Sequence, residues 1–219
     1  MKAAEPRFSN RLVSIFLRFF FYLLYGPFAW IYDWVAAFVS LGLWKQWVLE
    51  VVSDLHGPRV LELGHGPGHL QIALAERDIW SCGLDPSPQM GRLARNRLKD
   101  LGFRPNLING LGQRLPFANG SFPQVVATFP TEYIMDTCTL AEVRRVLTPG
   151  GELIVMPVAW ITGTRSLERA AALLFRVTGQ APEWDEQALA PALEAGFDLQ
   201  VERRALESSE LLFIHARKI

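Results

Sequence analysis

Three glycines at alternate positions, Gly64, Gly66 and Gly68, follow an apolar run in the stretch "VLELGHGPGHL". Glycine permits a tight turn and lets a ligand approach main-chain N–H groups closely. Asp85 closes the next apolar run, "CGLDPSP", 21 residues after Gly64. An acidic residue at the carboxyl end of a second strand is placed to accept hydrogen bonds from ribose hydroxyls. The pattern predicts a site for a ribose-containing ligand.

The spacing of the loop differs from that of a dinucleotide site. A dinucleotide fingerprint reads G-x-G-x-x-G, whereas here the third glycine comes one residue early and Glu62 stands two residues before the first. Each feature also has a structural interpretation, a tight strand–helix turn for the glycines and a turn aspartate before proline for Asp85. Their combination at this distance favours a ligand.

Candidate reacting side chains follow the fourth apolar run, in "TFPTEYIMD". Open α/β sheets bind ligands at the carboxyl ends of their strands, where this segment would lie. Tyr133 could shape the pocket or orient an acceptor, and Glu132 could accept a proton. The alternative is that Thr131 caps a short helix and Glu132 occupies its first turn, favoured by the helix dipole.

Short apolar runs alternate with helical or loop segments from residue 58 onward, at 59–63, 79–84, 106–108, 124–129 and 152–156. This alternation is typical of a parallel sheet with crossover helices. Two later runs, 197–203 and 210–216, predict an antiparallel hairpin added to that sheet.

Two helix starts can be predicted from local signals. Ser87 before Pro88 is a typical N-cap followed by proline in the first turn. Thr139 with Glu142 has the spacing of a capping box.

The composition limits the class of protein. The 219 residues are 50% hydrophobic and 20% charged, with 22 basic and 22 acidic side chains, so the chain can bury a core and is a poor candidate for nucleic-acid binding. Cys82 and Cys138 have no paired spacing, so the sequence predicts neither a disulfide framework nor a metal site, as expected of a cytoplasmic protein.

Four blocks in order resemble the class I S-adenosylmethionine-dependent methyltransferases: "ELGHGPG", "GLDPSPQM", "RLPFANGSFPQVVA" and "EVRRVLTPGGELIV". The resemblance covers about 100 residues. It implies an α/β fold with a Rossmann-like, doubly wound sheet of seven strands, mostly parallel with one antiparallel strand near the C-terminus. It also implies S-adenosylmethionine as cofactor and methyl transfer as the reaction.

The resemblance assigns ten residues to the cofactor: Glu62, Gly64, Gly66, Gly68, Leu84, Asp85, Pro86, Gly112, Gln113 and Phe129. The three glycines would face the methionine portion, Glu62 would anchor the loop and Asp85 would hold the ribose. Leu84 and Pro86 would flank the adenine. Similar proteins often have an aspartate at the position of Leu111, so the adenine edge would be read here by main chain around Gly112 and Gln113.

The N-terminal segment, residues 1–53, is predicted to be separate from a methyltransferase domain at 54–219. Of the 25 aromatic residues, 13 lie between Phe16 and Trp47. From Trp30 the segment is similar to the helical start of ubiquinone- and menaquinone-biosynthesis methyltransferases, which implies a lid over the site. Trp44, Trp47 and the valines that follow recur with helical spacing, so 42–53 is predicted to be a helix packed on the core.

Residues 11–25 allow a second interpretation. The longest charge-free run in the N-terminal segment, Phe19 to Tyr32, is 14 residues and Gly26-Pro27 interrupts it, so we expect no membrane-spanning helix there. An aromatic segment with nearby basic residues is suited to a membrane interface, on the inner face of the membrane, and a homodimer interface is the alternative. The aromatic segment and the mostly apolar insertion at 157–183 together predict a lipophilic acceptor such as a quinone precursor or a phospholipid. The alternatives are a methyltransferase that acts on a small soluble metabolite and a protein that binds the cofactor without catalysis.

Overall fold

The computed structural model describes residue 40 and residues 42–163 and 186–219. The helices are α1 (Trp44–Glu50), α2 (His69–Ala75), α3 (Pro88–Asp100), α4 (Thr137–Val146) and α5 (Ala190–Glu194). The strands are β1 (Arg59–Leu63), β2 (Trp80–Asp85), β3 (Leu107–Asn109), β4 (Phe122–Thr128), β5 (Leu147–Met156), β6 (Ala159–Ile161), β7 (Phe197–Ala205) and β8 (Ser209–Lys218). Single 3-10 turns occupy Val51–Asp54, Glu132–Met135 and Glu186–Leu189.

The strands form one sheet in the order β3-β2-β1-β4-β5-β8, and β7 pairs with the far side of β8. Strands β1 to β5 are parallel to one another, whereas β8 runs antiparallel to β5, β6 and β7. The predicted α/β, mostly parallel sheet with an antiparallel strand near the C-terminus is confirmed. The described strands number eight rather than seven because the short strand β6 pairs with β8 beside β5.

Helix starts show where local sequence signals succeed and fail. The Ser87 hydroxyl accepts a hydrogen bond from the Met90 N–H at 3.2 Å, so Ser87 is the N-cap of α3 as predicted. The predicted capping box of Thr139 and Glu142 is wrong. Asp136 caps α4 instead, by accepting from the N–H groups of Cys138 and Thr139 at 3.0 and 3.1 Å.

The Glu142 side chain has a different use. It accepts hydrogen bonds from Arg145 and from the Leu115 N–H at 2.7 Å, and Arg145 also donates to the carbonyls of Leu115 and Phe117. This network ties the segment that enters β4 to helix α4. The Glu142–Arg145 pair therefore holds the segment before β4 in place and does not cap α4.

Helix α1 packs on the sheet through its buried side chains Trp47 and Val48 and the following Val51 and Val52. The Trp47 indole N–H donates to the Ser209 hydroxyl on β8 at 2.9 Å. Arg204 of β7 forms a two-pronged ion pair with Asp54 at 3.1 Å, just after α1. The predicted core-packed helix at 42–53 is confirmed as a helix that continues into a 3-10 turn.

No helix in the described part of the chain has the length and apolar character needed to cross a membrane. The predicted membrane-contact segment, 11–25, and most of the predicted insertion at 157–183 lie outside the described residues. The boundary between the predicted segments 1–53 and 54–219 stays a prediction.

Candidate active site

A cavity of about 240 Å³ opens at the carboxyl ends of β1, β2 and β4. Its lining combines the glycine loop, the end of β2, the segment after β4 and one face of α1. The lining residues are Trp44, Val48, Glu62, Gly64, His65, Gly66, Pro67, His69, Leu70, Asp85, Pro86, Ser87, Thr128, Phe129, Pro130, Thr131 and Tyr133. The cavity lies where open α/β sheets bind ligands.

The loop after β1 has a backbone that only glycine adopts readily. Gly64 and Gly66 have φ of +74° and +49°, in the left-handed region. A Cβ on Gly64 would lie 2.9 Å from the Tyr133 hydroxyl oxygen, whereas one on Gly66 would meet no atom within 4 Å. The absence of a side chain at Gly64 therefore allows the Tyr133 hydroxyl to lie close to the loop.

Asp85 fastens this loop to the end of β2. Its carboxylate accepts the Gly66 N–H at 2.9 Å and the Ser87 N–H at 2.8 Å, and the residue is buried. A carboxylate offers about four lone-pair positions, more than these two N–H groups use. The remaining positions can accept two hydroxyl donors, which is what recognition of a ribose requires.

Glu62 is a buried carboxyl in the cavity wall. Only 2% of the residue is exposed, and its Oε2 accepts a hydrogen bond from the Gln71 amide at 2.7 Å. Burial raises its pKa to about 7, with a smaller contribution from the negative charge of Asp85. The protonated form of Glu62 therefore persists to a higher pH than that of an exposed glutamate.

His65 points its ring into the same region. It is buried, and its Nδ1–H donates to the Gly66 carbonyl at 2.7 Å. Burial lowers the pKa of His65, although Asp85 acts in the opposite direction. A neutral imidazole is the expected state at pH 7, so His65 adds no positive charge to the cavity.

The side of the cavity facing α1 is apolar. Trp44 stacks on Phe129 with ring centroids 4.2 Å apart and an angle of 26° between the planes. Phe129 has φ of +47°, which is a strained conformation for a bulky side chain. Val48 and Leu70 complete this surface. Such strain at the end of β4, beside a cavity, is typical of a functional site.

The candidate reacting residues lie after β4. Tyr133 lines the cavity, with its hydroxyl against Gly64. Glu132 lies in the same 3-10 turn, Glu132–Met135, for which Thr131 is the N-cap without a side-chain hydrogen bond. The catalytic role assigned to both residues stays a prediction.

Six of the ten residues assigned to the cofactor line the cavity: Glu62, Gly64, Gly66, Asp85, Pro86 and Phe129. The other four are placed elsewhere. Gly68 faces α3, where an added Cβ would lie 2.8 Å from the Ala94 Cβ, and the Leu84 side chain is in the core. Gly112 packs against Thr139, and Gln113 is exposed. Cofactor contacts by these four stay predictions.

Two contributors to the site escaped sequence reasoning. Gln71 is one residue on a helix face, and its contact with Glu62 depends on how α2 packs against β1. Trp44 was predicted to pack on the core. Its place in the cavity could have been inferred from Phe129, the aromatic residue after β4 on which it stacks.

The charge of the lining indicates which ligands fit. It contains two carboxyl groups, Glu62 and Asp85, and no lysine or arginine among the described residues. A pyrophosphate would find two carboxyl groups and no cation there. S-adenosylmethionine carries two cationic groups, a sulfonium and an ammonium, against one carboxylate, so its net charge is positive. The cationic groups match the acidic lining, and the ribose hydroxyls match the Asp85 carboxylate. The residues present therefore fit this cofactor.

The fold and the cavity define a Rossmann-like domain whose cavity, at the carboxyl ends of its strands, is suited to a nucleoside ligand. Residues 60–151 match the family model described as methyltransferase domain. The chain thus contains a methyltransferase domain at 60–151 that is similar to the class I S-adenosylmethionine-dependent enzymes, and S-adenosylmethionine is the cofactor that fits its cavity. The resemblance noted from the four sequence blocks is confirmed.

Among curated proteins, the chain is 34% identical over 128 residues to the demethylmenaquinone methyltransferase of Beutenbergia cavernae. It is 33% identical over 134 residues to the ubiquinone/menaquinone biosynthesis C-methyltransferase UbiE of Bordetella avium. Each match covers 57% of this chain and 52% of the relative. The chain therefore spans about half the length of the curated relatives it matches.

Among solved structures, a SAM-dependent methyltransferase from Thermotoga maritima superposes with a TM-score of 0.59 at 21% identity. The match covers 86% of this chain and 96% of that one. At this identity the likeness establishes the fold.

Proposed function

We propose that the protein transfers the methyl group of S-adenosylmethionine to a small-molecule acceptor. The observation that carries the proposal is the loop of Gly64 and Gly66, held by the Asp85 carboxylate at the edge of an acidic cavity. A positively charged nucleoside ligand fits this arrangement, and a dinucleotide does not. The family match at 60–151 supports the same conclusion.

When bound, S-adenosylmethionine supplies an electrophilic methyl group on its sulfonium. The chain's own residues hold the ligand, orient the acceptor and exclude water from the cavity. A proton acceptor is required only if the methylated atom must lose a proton. Tyr133, which lines the cavity, and Glu132, in the same turn, are the candidates for orienting the acceptor and for accepting that proton.

The acceptor is proposed to be lipophilic, a quinone precursor or a phospholipid. The surface formed by Trp44, Val48, Leu70 and Phe129 offers an apolar wall to such a molecule. The names of the relatives, demethylmenaquinone methyltransferase among them, support a quinone precursor. The aromatic segment at 11–25 is proposed to hold the protein on the inner face of the membrane.

The test uses S-adenosylmethionine with a labelled methyl group, incubated with the full chain and a demethylmenaquinol probe or a total lipid extract. The products are then partitioned between organic solvent and water. Label in the organic phase is expected. Label that enters only water-soluble products of a cell extract would favour a soluble metabolite, and cofactor binding without any transfer would favour a non-catalytic protein.

Membrane contact is tested separately by co-sedimentation with vesicles that contain anionic phospholipids. Removing residues 1–28 is expected to abolish sedimentation and to leave cofactor binding unchanged, because the described lining of the cavity begins at Trp44. Vesicle binding that persists without residues 1–28 would contradict the membrane role of this segment. The oligomeric state of both proteins in solution tests whether the segment forms a homodimer interface instead.

A further inference from the structure

Three buried polar residues form a chain that leads from β2 through α2 to the cavity wall. The Ser81 hydroxyl donates to Oε1 of Gln71 at 3.0 Å, and Nε2 of Gln71 donates to Oε2 of Glu62 at 2.7 Å. Glu62 and Gln71 are each 2% exposed and Ser81 is 9% exposed. Burial of three polar side chains is costly unless each is satisfied, so such a chain is a specific feature.

The Gln71 amide joins Ser81 to Glu62. Its Oε1 accepts from the Ser81 hydroxyl, and its NH₂ group donates to Glu62. With an ionised Glu62, the flipped amide would place two acceptor oxygens against each other, so this orientation of the amide favours the carboxylate. Ser81 holds Gln71 from the other side, and Gln71 fixes one oxygen of the Glu62 carboxyl while the Glu62 side chain lines the cavity.

The surroundings of Glu62 leave its charge uncompensated. The other titratable groups in the described lining are Asp85 at the end of β2, His65 and His69 next to the loop, and Tyr133 after β4. Asp85 raises the pKa of Glu62 further, in the same direction as burial. No lysine or arginine is found among the described residues of this lining, so a cationic ligand would be the first positive partner for the carboxylate.

We propose that Gln71, held by Ser81, is a positioning residue that directs the Glu62 carboxyl at a cationic group of the bound cofactor, and that cofactor binding releases a proton from Glu62. This inference rests on the proposed function. Binding exchanges the carboxyl proton, which passes to solvent, for an ion pair with the cation. The competing explanation is that the three residues only tie α2 to the sheet.

The experiment measures the binding heat of S-adenosylmethionine and S-adenosylhomocysteine in phosphate and in Tris buffer. The difference between buffers gives the number of protons released. Because burial raises the pKa of Glu62 to about 7, we expect proton release that is largest near pH 6 and that falls as the pH rises to 8. Release with both ligands assigns the cation to the amino group, and release with S-adenosylmethionine alone assigns it to the sulfonium.

Two variants distinguish a positioning role of Gln71 from a purely structural contact between α2 and the sheet. Glu62→Gln is expected to abolish proton release. Gln71→Met removes a donor that favours the charged carboxylate, so its release is expected to rise toward one proton at pH 7 and to persist at pH 8. The matched control is Gln200→Met, on the exposed face of β7, which should leave release unchanged.

The outcomes distinguish the inference from the function on which it rests. Measurable binding by the wild-type chain with no proton release would overturn the inference and leave the proposed function intact. A release that keeps the same pH midpoint in folded Gln71→Met would also overturn the positioning role. Absence of binding by either ligand would overturn the proposed function, and the inference with it. The wild-type measurement stands even if a variant fails to fold.

Discussion

The two walls of the cavity are built in opposite ways. The polar wall consists of Glu62, Gly64, Gly66 and Asp85, which lie within 24 residues of the sequence, and the Asp85 carboxylate accepts the Gly66 N–H. The apolar wall joins Trp44 to Phe129, which are 85 positions apart and held by ring stacking. We propose that the polar wall binds the cofactor and that the apolar wall selects the acceptor. Each prediction below tests that division.

The largest effect is expected from Gly64→Ala in the polar wall. The added methyl combines a positive φ, which costs roughly 1–2 kcal/mol, with a 2.9 Å approach to the Tyr133 hydroxyl. Together with overpacking we expect a stability loss of about 2–4 kcal/mol and no detectable cofactor binding. Thermal unfolding and calorimetric titration with S-adenosylhomocysteine measure the two effects.

Two companion variants separate strain from collision. Gly66→Ala has a positive φ but no atom within 4 Å of its Cβ, so it reports the backbone strain alone. Adding Tyr133→Phe to Gly64→Ala removes the oxygen and leaves the nearest ring carbon at 3.9 Å, which should restore part of the stability. Equal losses in Gly64→Ala and Gly66→Ala would refute a role for the Tyr133 contact.

Gly68→Ala is expected to damage the fold without touching the ligand. Its Cβ would lie 2.8 Å from the Ala94 Cβ at the contact of α2 with α3, and its φ of +88° adds backbone strain of roughly 1–2 kcal/mol. Stability should therefore fall by about 2–4 kcal/mol. The cofactor affinity of the folded fraction should change by less than about threefold, which is under 0.7 kcal/mol. A loss of cofactor affinity in Gly68→Ala at normal stability would instead support the predicted contact of Gly68 with the cofactor.

Asp85→Ala is expected to weaken cofactor binding at least about tenfold, or 1.4 kcal/mol. The variant removes the acceptor of the Gly66 and Ser87 N–H groups together with the proposed acceptor of the ribose hydroxyls. Asp85→Asn keeps one oxygen and should lose less. Asp100→Ala, at the exposed end of α3, is the control. Unchanged affinity in Asp85→Ala would refute the ribose assignment.

The polar wall was the predictable part of the molecule because its signals are local. The φ values above zero require glycine at Gly64 and Gly66, and Asp85 follows at the distance set by one strand–helix–strand unit. The mostly parallel sheet and its antiparallel strand near the C-terminus followed from the apolar runs and the family resemblance. Helix α3 began where Ser87 and Pro88 indicated.

The remainder depended on packing between distant segments. Glu142 had the spacing of a capping residue, but Arg145 and the Leu115 N–H offered it stronger partners. Gln71 reaches Glu62 only because α2 lies against β1, and Gly68 faces Ala94 only because α2 meets α3. A pattern in one segment cannot reveal such contacts, since both partners must first be placed by the fold.

The smallest effect is expected from Trp44→Ala in the apolar wall. Loss of the stack on Phe129 should cost about 0.5–1.5 kcal/mol beyond the lost apolar area. Cofactor affinity should stay within about threefold, whereas the KM for a demethylmenaquinol probe should rise several-fold. Titration with S-adenosylhomocysteine and steady-state kinetics with the probe measure the two effects on one preparation.

Trp80→Ala is the matched control, because Trp80 is 47% exposed and stacks on Phe122 outside the cavity lining. It should lower stability without changing the KM for the probe. If Trp44→Ala weakens cofactor binding as strongly as Asp85→Ala does, the two walls act on the same ligand and the division of roles fails. If only the KM changes, the stacked pair selects the acceptor, because an apolar surface can discriminate an apolar molecule without contributing to the acidic cofactor site.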